Sequence, residues 1–294
     1  MHTTSHLSYL AAVAILSLSL TALVMPGTTR YESGGLLVVA TFPGIEGDLA
    51  TILCPGDVLE SLPPTLDPHS PALRPSFIKL LEKADIVVTM AHTRADQVAE
   101  SLMGEAGAIN VERLAREPPT VSGKAGRHYP IYNPLNYAVL MEKLSLALAS
   151  ARPECRDHYM ENARALATRA LAVYWALKDS LAGSKAVVSS ALIVGSISWL
   201  GVDISIVLSA GPEAQTTPGN LLEAEKALST GAIAVAMVDQ NGTPIDRASS
   251  WLVSKAKKHG SQLILVETPF SGTPLIEKIE GVALQALMIS GNTS

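Results

Sequence analysis

Three histidines, His69, His92 and His128, each stand in a polar stretch following an apolar, β-branched run, and the acid Glu267 closes the last such run. Imidazole is the commonest metal ligand near neutral pH. Three imidazoles and a carboxylate suit a divalent ion of the zinc or manganese class. His69 belongs to the segment Pro63-Pro64-Thr65-Leu66-Asp67-Pro68-His69, whose prolines stiffen the loop. His92 follows Met90-Ala91 directly, and its alternative role is to cap the next helix. His128 lies in Arg127-His128-Tyr129, ahead of a helix expected from Pro134, and could equally be a surface loop position. For Glu267 the alternative is a solvated strand end. The other four of the seven histidines carry no chemistry in this reading. His2 and His6 belong to the N-terminal segment, and His158 and His259 fall on solvated helix positions.

These residues need elements to position them. Short β-branched runs alternate with helical patterns, the signature of parallel βα units. The runs are 37–41, 57–62, 86–90 and 108–111 in the first half, and 186–190, 204–209, 233–239 and 263–267 in the second. Between them lie helices such as 75–84, where Phe77, Leu80, Leu81 and Ala84 recur at helical spacing and Pro75 suits the first turn. From Glu154 to about Leu181 there is neither Pro nor Gly, and Tyr159, Ala163, Leu166, Ala170, Val173, Leu177 and Leu181 step by three and four. That pattern predicts one long, stiff helix between two α/β lobes. The expected fold is α/β: two Rossmann-like lobes with parallel sheets joined by one backbone helix. The boundaries are 36–152 for the first lobe, 153–182 for the connector and 183–294 for the second. Open parallel sheets bind ligands beyond the carboxyl ends of their strands, which is where the three histidines fall in lobe one. In lobe two that edge carries Ser189-Ser190 and Glu267-Thr268.

Bulk properties narrow the function classes. The net charge is −5 and only 4% of residues are aromatic, which argues against a nucleic-acid partner. No GxGxxG or P-loop follows a strand and no GxSxG elbow occurs, so an enzyme is disfavoured. Residues Tyr9 to Met25 are uncharged and apolar and end at Pro26-Gly27, between the length of a secretion signal and that of a spanning helix. Residues 1–30 are therefore expected to be a signal peptide or an N-terminal membrane anchor, and the chain extracytoplasmic, either membrane-associated or secreted. Cys54 and Cys155 form no CxxC. Both are expected at the base of lobe one, where a disulfide is feasible if their Cα atoms approach within about 7 Å. Two buried, unpaired cysteines are the alternative.

Several stretches together resemble the TroA-like solute-binding proteins of zinc, manganese and iron ABC importers. They are Val38-Val39-Ala40-Thr41-Phe42-Pro43, the Asp67-Pro68-His69 loop, a Pro-initiated helix at Pro75, and Lys83-Ala84-Asp85-Ile86-Val87-Val88. Asn133-Pro134, the long helix, 211–218 (GPEAQTTP) and Asp239-Gln240 follow in the family's order. The resemblance implies an extracytoplasmic receptor that captures a divalent transition metal between its lobes and presents it to a membrane permease, as a monomer. The first family ligand corresponds to His69. The second falls at Tyr129, one residue after His128. The third, a histidine, is replaced by Ser189 or Ser190. The fourth, an aspartate, falls at Thr268, one residue after Glu267. The expected ligand set is His69, His128 and Glu267, with His92 or water completing the shell. Two other readings remain open at this point. One is the same fold carrying a chelated metal, or an anion drawn by Arg94 and Arg127; the other is an interaction or adhesion module.

Overall fold

The apolar runs form two parallel sheets of four strands each in a computed structural model that describes residues 34–62, 74–90, 93–111, 120–121, 124–125, 129–209 and 216–291. In lobe one, β1 (Leu37–Ala40), β2 (Val58–Ser61), β3 (Ile86–Thr89) and β4 (Ala108–Asn110) lie in the order β2-β1-β3-β4. A two-residue antiparallel pair follows, β5 (Thr120–Val121) with β6 (Lys124–Ala125). In lobe two, β7 (Lys185–Ser190), β8 (Asp203–Ser209), β9 (Ile233–Val238) and β10 (Leu263–Glu267) lie in the order β10-β9-β7-β8. Counted within each lobe, both sheets run second, first, third, fourth. The first strand of each lobe pairs parallel with the third, Val38 opposite Ile86 and Ala186 opposite Ile233. That pairing is the point where chain order reverses, and crevices open at the carboxyl ends there. Each strand matches its expected run to within about two residues at either end. Helices cover both faces, so β3 and β9 are buried at every position and read as continuous apolar runs.

The helices are α1 (Glu46–Ile52), α2 (Pro75–Leu81), α3 (Arg94–Gly107), α4 (Tyr129–Tyr132), α5 (Pro134–Ala151), α6 (Arg156–Leu177), α7 (Pro218–Ser229), α8 (Arg247–His259) and α9 (Leu275–Gly291). Their starts obey side-chain capping. Thr93 and Asp96 form a reciprocal capping box at α3, so the cap is Thr93 and not His92. Asn133 caps α5, Thr217 caps α7 and Asp246 caps α8.

The connector is shorter than its sequence pattern. A 3-10 turn at Pro153–Cys155 leads into α6, which spans 22 residues, or roughly 33 Å at the α-helical rise. The expected stripe of Tyr159, Ala163, Leu166, Ala170, Val173 and Leu177 is buried. The helix stops at Leu177 because lobe two offers its next amides better partners. The Leu181 N–H donates to the Leu200 carbonyl at 2.9 Å, and the intervening Asp179 adopts φ 62°. Gly201 closes that contact, since a Cβ there would sit 2.8 Å from the Asp179 Cα. Leu181 is nevertheless buried, at the start of lobe two.

One apolar core runs from Val38 and Tyr137 in lobe one, through Tyr159 and Ala170 on α6, to Val188 and Ile279 in lobe two. The connector is thus packed along its length. At the base of lobe one it is also fastened covalently: Cys54 and Cys155 form a disulfide, with Cα atoms 6.1 Å apart. Beside it Asp57 accepts from Arg152 Nη1 (2.7 Å), Tyr159 Oη (2.6 Å) and the amides of Leu36 and Cys54. His158 is exposed, as expected, and its Nε2 lies 3.0 Å from the Leu53 carbonyl.

Candidate functional site

Glu267 ends β10 as expected. His69, His92, His128 and Arg127 lie outside the described residues, as does the apolar run from Tyr9 to Met25. The described chain ends next to them are informative. Leu62 follows β2, Met90 follows β3, and α4 begins at Tyr129. The first two flank β1 at the carboxyl edge of lobe one, and Leu62 and Thr41 are tied back to the sheet through the carbonyls of Ala40 and Val88. Buried Asp96 secures the same edge. It accepts from the Met90 and Thr93 amides and from the hydroxyls of Thr41 and Thr93.

The segment after Glu267 belongs to lobe two in sequence and is clasped by lobe one. Tyr132 Oη, on α4, donates to the Glu267 backbone carbonyl at 2.5 Å. Burial, with Glu267 nearby, pushes the Tyr132 phenol well above its ordinary range, so it stays a neutral donor. The Glu267 carboxylate accepts from Ser271 Oγ at 2.9 Å. Gly44, after β1, donates its N–H to the Pro269 carbonyl at 3.2 Å.

Two buried charges complete this junction. Asp48 on α1 is 1% exposed and caps the N-terminus of α9 from the other lobe, accepting from the Leu275 amide at 2.7 Å. It also accepts from Tyr137 Oη at 2.7 Å. Burial pushes the Asp48 carboxyl up to about 6, against the pull of those hydrogen bonds and of Lys278. Lys278 on α9 is 3% exposed and donates to the carbonyls of Thr268 (2.9 Å) and Ser271 (3.2 Å). Burial brings its ammonium down to about 8, opposed by Glu267 and Asp48.

Asp48, Tyr132 and Lys278 were not among the expected residues. A signal existed for two of them: Lys278 lies on the apolar stripe of α9 with Leu275, Ile279 and Val282, and Asp48 on that of α1 with Leu49 and Ile52. A charge on a buried stripe needs a buried partner.

Lobe two contributes no imidazole at its switch point. Ser189 is fully buried; its Oγ accepts from Ser249 Oγ at 3.0 Å and from the Met237 amide at 3.2 Å. Ser190 caps the 3-10 segment Ala191–Ser196 through the Leu192 amide. Both hydroxyls are engaged inside their own lobe. Asp239 closes a turn by accepting from the amides of Asn241 and Thr243. Among the described residues no three His, Cys, Asp or Glu side chains gather as a metal-holding group. A groove of about 630 Å³ lies elsewhere, along α5 and α6 between Asn133, Ser145, Met160 and Leu171.

Two equal parallel-sheet lobes on a helical connector, with an acid of the second lobe held against the first, define a two-lobed solute-binding protein. The model of the zinc-uptake complex component A family, periplasmic, matches residues 38–267, and the chain belongs to that family. A search of curated proteins finds no match. Among solved structures, the SBP FpvC of Pseudomonas aeruginosa in complex with Mn²⁺ is similar, with 17% identity, 88% of this chain and 100% of that chain covered, and a TM-score of 0.66. The Zn(II)-bound ZnuA-like domain of AdcA from Streptococcus pneumoniae gives 16% identity, coverage of 88% and 99%, and a TM-score of 0.64. Periplasmic zinc-binding protein TroA from Treponema pallidum gives 12%, 86% and 99%, and 0.63. These likenesses bear out the two-lobed fold. The family is one of periplasmic binding components of metal importers, and among the described residues no helix is long and apolar enough to cross a membrane.

Proposed function

We propose that this protein captures a divalent transition-metal ion, of the zinc or manganese class, between its lobes and delivers it to the membrane permease of an ABC importer. His69, His128 and Glu267 are the ligands, with His92 or water completing the shell. The observation that carries this reading is the Tyr132–Glu267 hydrogen bond, on a chain of the zinc-uptake family. It joins the helix that begins right after His128 to the residue bearing the carboxylate. The protein acts as a monomer and catalyses no reaction. Its lobes are 36–152 and 183–294, its connector 153–182, and residues 1–30 direct its export or anchor it at the membrane.

Equilibrium dialysis of the purified chain against Zn²⁺ and Mn²⁺ tests this. Uptake of one ion per chain is expected, weakened at least about tenfold in His69→Ala, since each ligand is part of a four-coordinate shell. No uptake by the native chain, or unchanged uptake in the variant, defeats the proposal.

A second reading has its own support. Because Ser189 and Ser190 bond within lobe two, the cargo could bring ligands of its own, as a chelated metal would. Dialysis with the ion presented by a small carboxylate or hydroxamate chelator separates the two. Binding only in the presence of the chelator selects the second reading.

A further inference from the structure

The turn after β10 is organised by a buried cation. Its carbonyls at Thr268 and Ser271 both accept from Lys278 Nζ, at 2.9 and 3.2 Å. Ser271 Oγ in turn donates to Glu267 Oε2. Lobe one crowds the same place. A Cβ on Gly44 would stand 2.4 Å from the Pro269 carbonyl oxygen and 2.8 Å from Lys278 Nζ, and one on Gly47 would stand 2.5 Å from the Pro274 ring. Asp48 ties down the next residues through the Leu275 amide.

Burying an ammonium is costly, and an apolar residue of the same shape commonly serves stability as well or better. Lys278, moreover, spends its hydrogen bonds on the two carbonyls that shape the Glu267–Ser271 turn. We propose that Lys278 is a positioning residue of the capture site: it sets the turn that aims the Glu267 carboxylate through Ser271, while Asp48 locks that turn to lobe one. The acidic ligand is then delivered from a preset position. This inference rests on the metal-capture reading for its effect on binding, though not for its effect on the turn.

The test uses the full chain with Lys278→Met, Lys278→Gln and Ser271→Ala. Amide hydrogen exchange is read in the metal-free protein, and Zn²⁺ and Mn²⁺ affinities by titration calorimetry. Lys278→Met is expected to raise exchange at residues 268–273 about tenfold or more, and to weaken metal binding about ten- to a hundredfold, the range for partners that orient a ligand. Lys278→Gln keeps a donor and should recover part of both. Ser271→Ala removes the hydroxyl's contacts with Glu267 Oε2 and with the Thr268 carbonyl while leaving both Lys278 bonds, and should weaken binding about tenfold. Unchanged exchange in Lys278→Met overturns the positioning role. Faster exchange with undiminished metal affinity overturns its link to capture. If Lys278→Met does not fold, Ser271→Ala decides, and unaltered affinity there overturns the proposal. Native protein that binds neither ion defeats the metal reading alone, because the exchange comparison still reports whether Lys278 holds the turn.

Discussion

Two buried aspartates staple this molecule at opposite ends of lobe one, and they do different work. At the base, Asp57 receives a guanidinium, a phenol and two amides, beside a disulfide that closes a separation of 101 residues. Every partner there lies in lobe one or at the start of the connector. At the cleft end, Asp48 receives a phenol from its own lobe and the first amides of α9 from the other. Its nearby cation, Lys278, bonds to carbonyls instead. The contrast teaches that the base is built for strength and the cleft end for placement. Asp48, buried with no direct cation on its oxygens, has its carboxyl raised to about 6 by that burial, against the pull of its hydrogen bonds.

Replacing Cys54 and Cys155 by serine should cost roughly 4–5 kcal/mol, from the chain entropy of a long closed loop. Urea unfolding followed by circular dichroism measures it, and metal affinity should not move; a parallel loss of affinity would erase the distinction between the two ends. Asp57→Ala leaves Arg152 without its buried partner and should cost about 3–5 kcal/mol by the same assay, again with cargo binding retained.

The cleft end should respond to pH through Asp48. Asp48 has its carboxyl raised from 3.8 to about 6, so between those values the folded chain holds a proton that the unfolded chain has released. Stability contributed below about pH 4 is therefore lost as pH rises through 6, up to about 3 kcal/mol. Tyr137 and Lys278 are the titratable groups facing it. Unfolding free energies of native protein and Asp48→Asn at pH 4 and 7 isolate the effect as the difference between their slopes. Parallel slopes would refute it. The smallest change expected is Tyr132→Phe, which deletes one buried hydrogen bond and should cost about 0.5–1.5 kcal/mol while lowering metal affinity several-fold. Asp57→Ala should lower it not at all.

Much of this was legible beforehand because it is locally encoded. The strands read as apolar runs since helices bury both their faces, and Leu263–Glu267 was placed to the residue. The α6 stripe was read correctly, but its end was not. Nothing near Leu177 forbids four more helical residues; the Leu200 carbonyl, distant in sequence, draws the Leu181 amide away. Ser189 and Ser190 were recognised as the residues standing in for a histidine. That both hydroxyls turn into their own lobe depends on Ser249 and on the 3-10 segment after β7.

The sequence by itself determined two parallel α/β lobes, a helical connector, the paired cysteines' common edge and the polar residues at the strand ends. Each follows from spacing within a few dozen residues, where the period of apolar side chains dictates the element. Only the tertiary structure decided what holds Glu267. Asp48 and the amide it caps are 227 residues apart, and Lys278 reaches carbonyls offered by a turn rather than by any motif. A buried charge announces from its stripe that it needs partners, but which partners it finds is settled by packing.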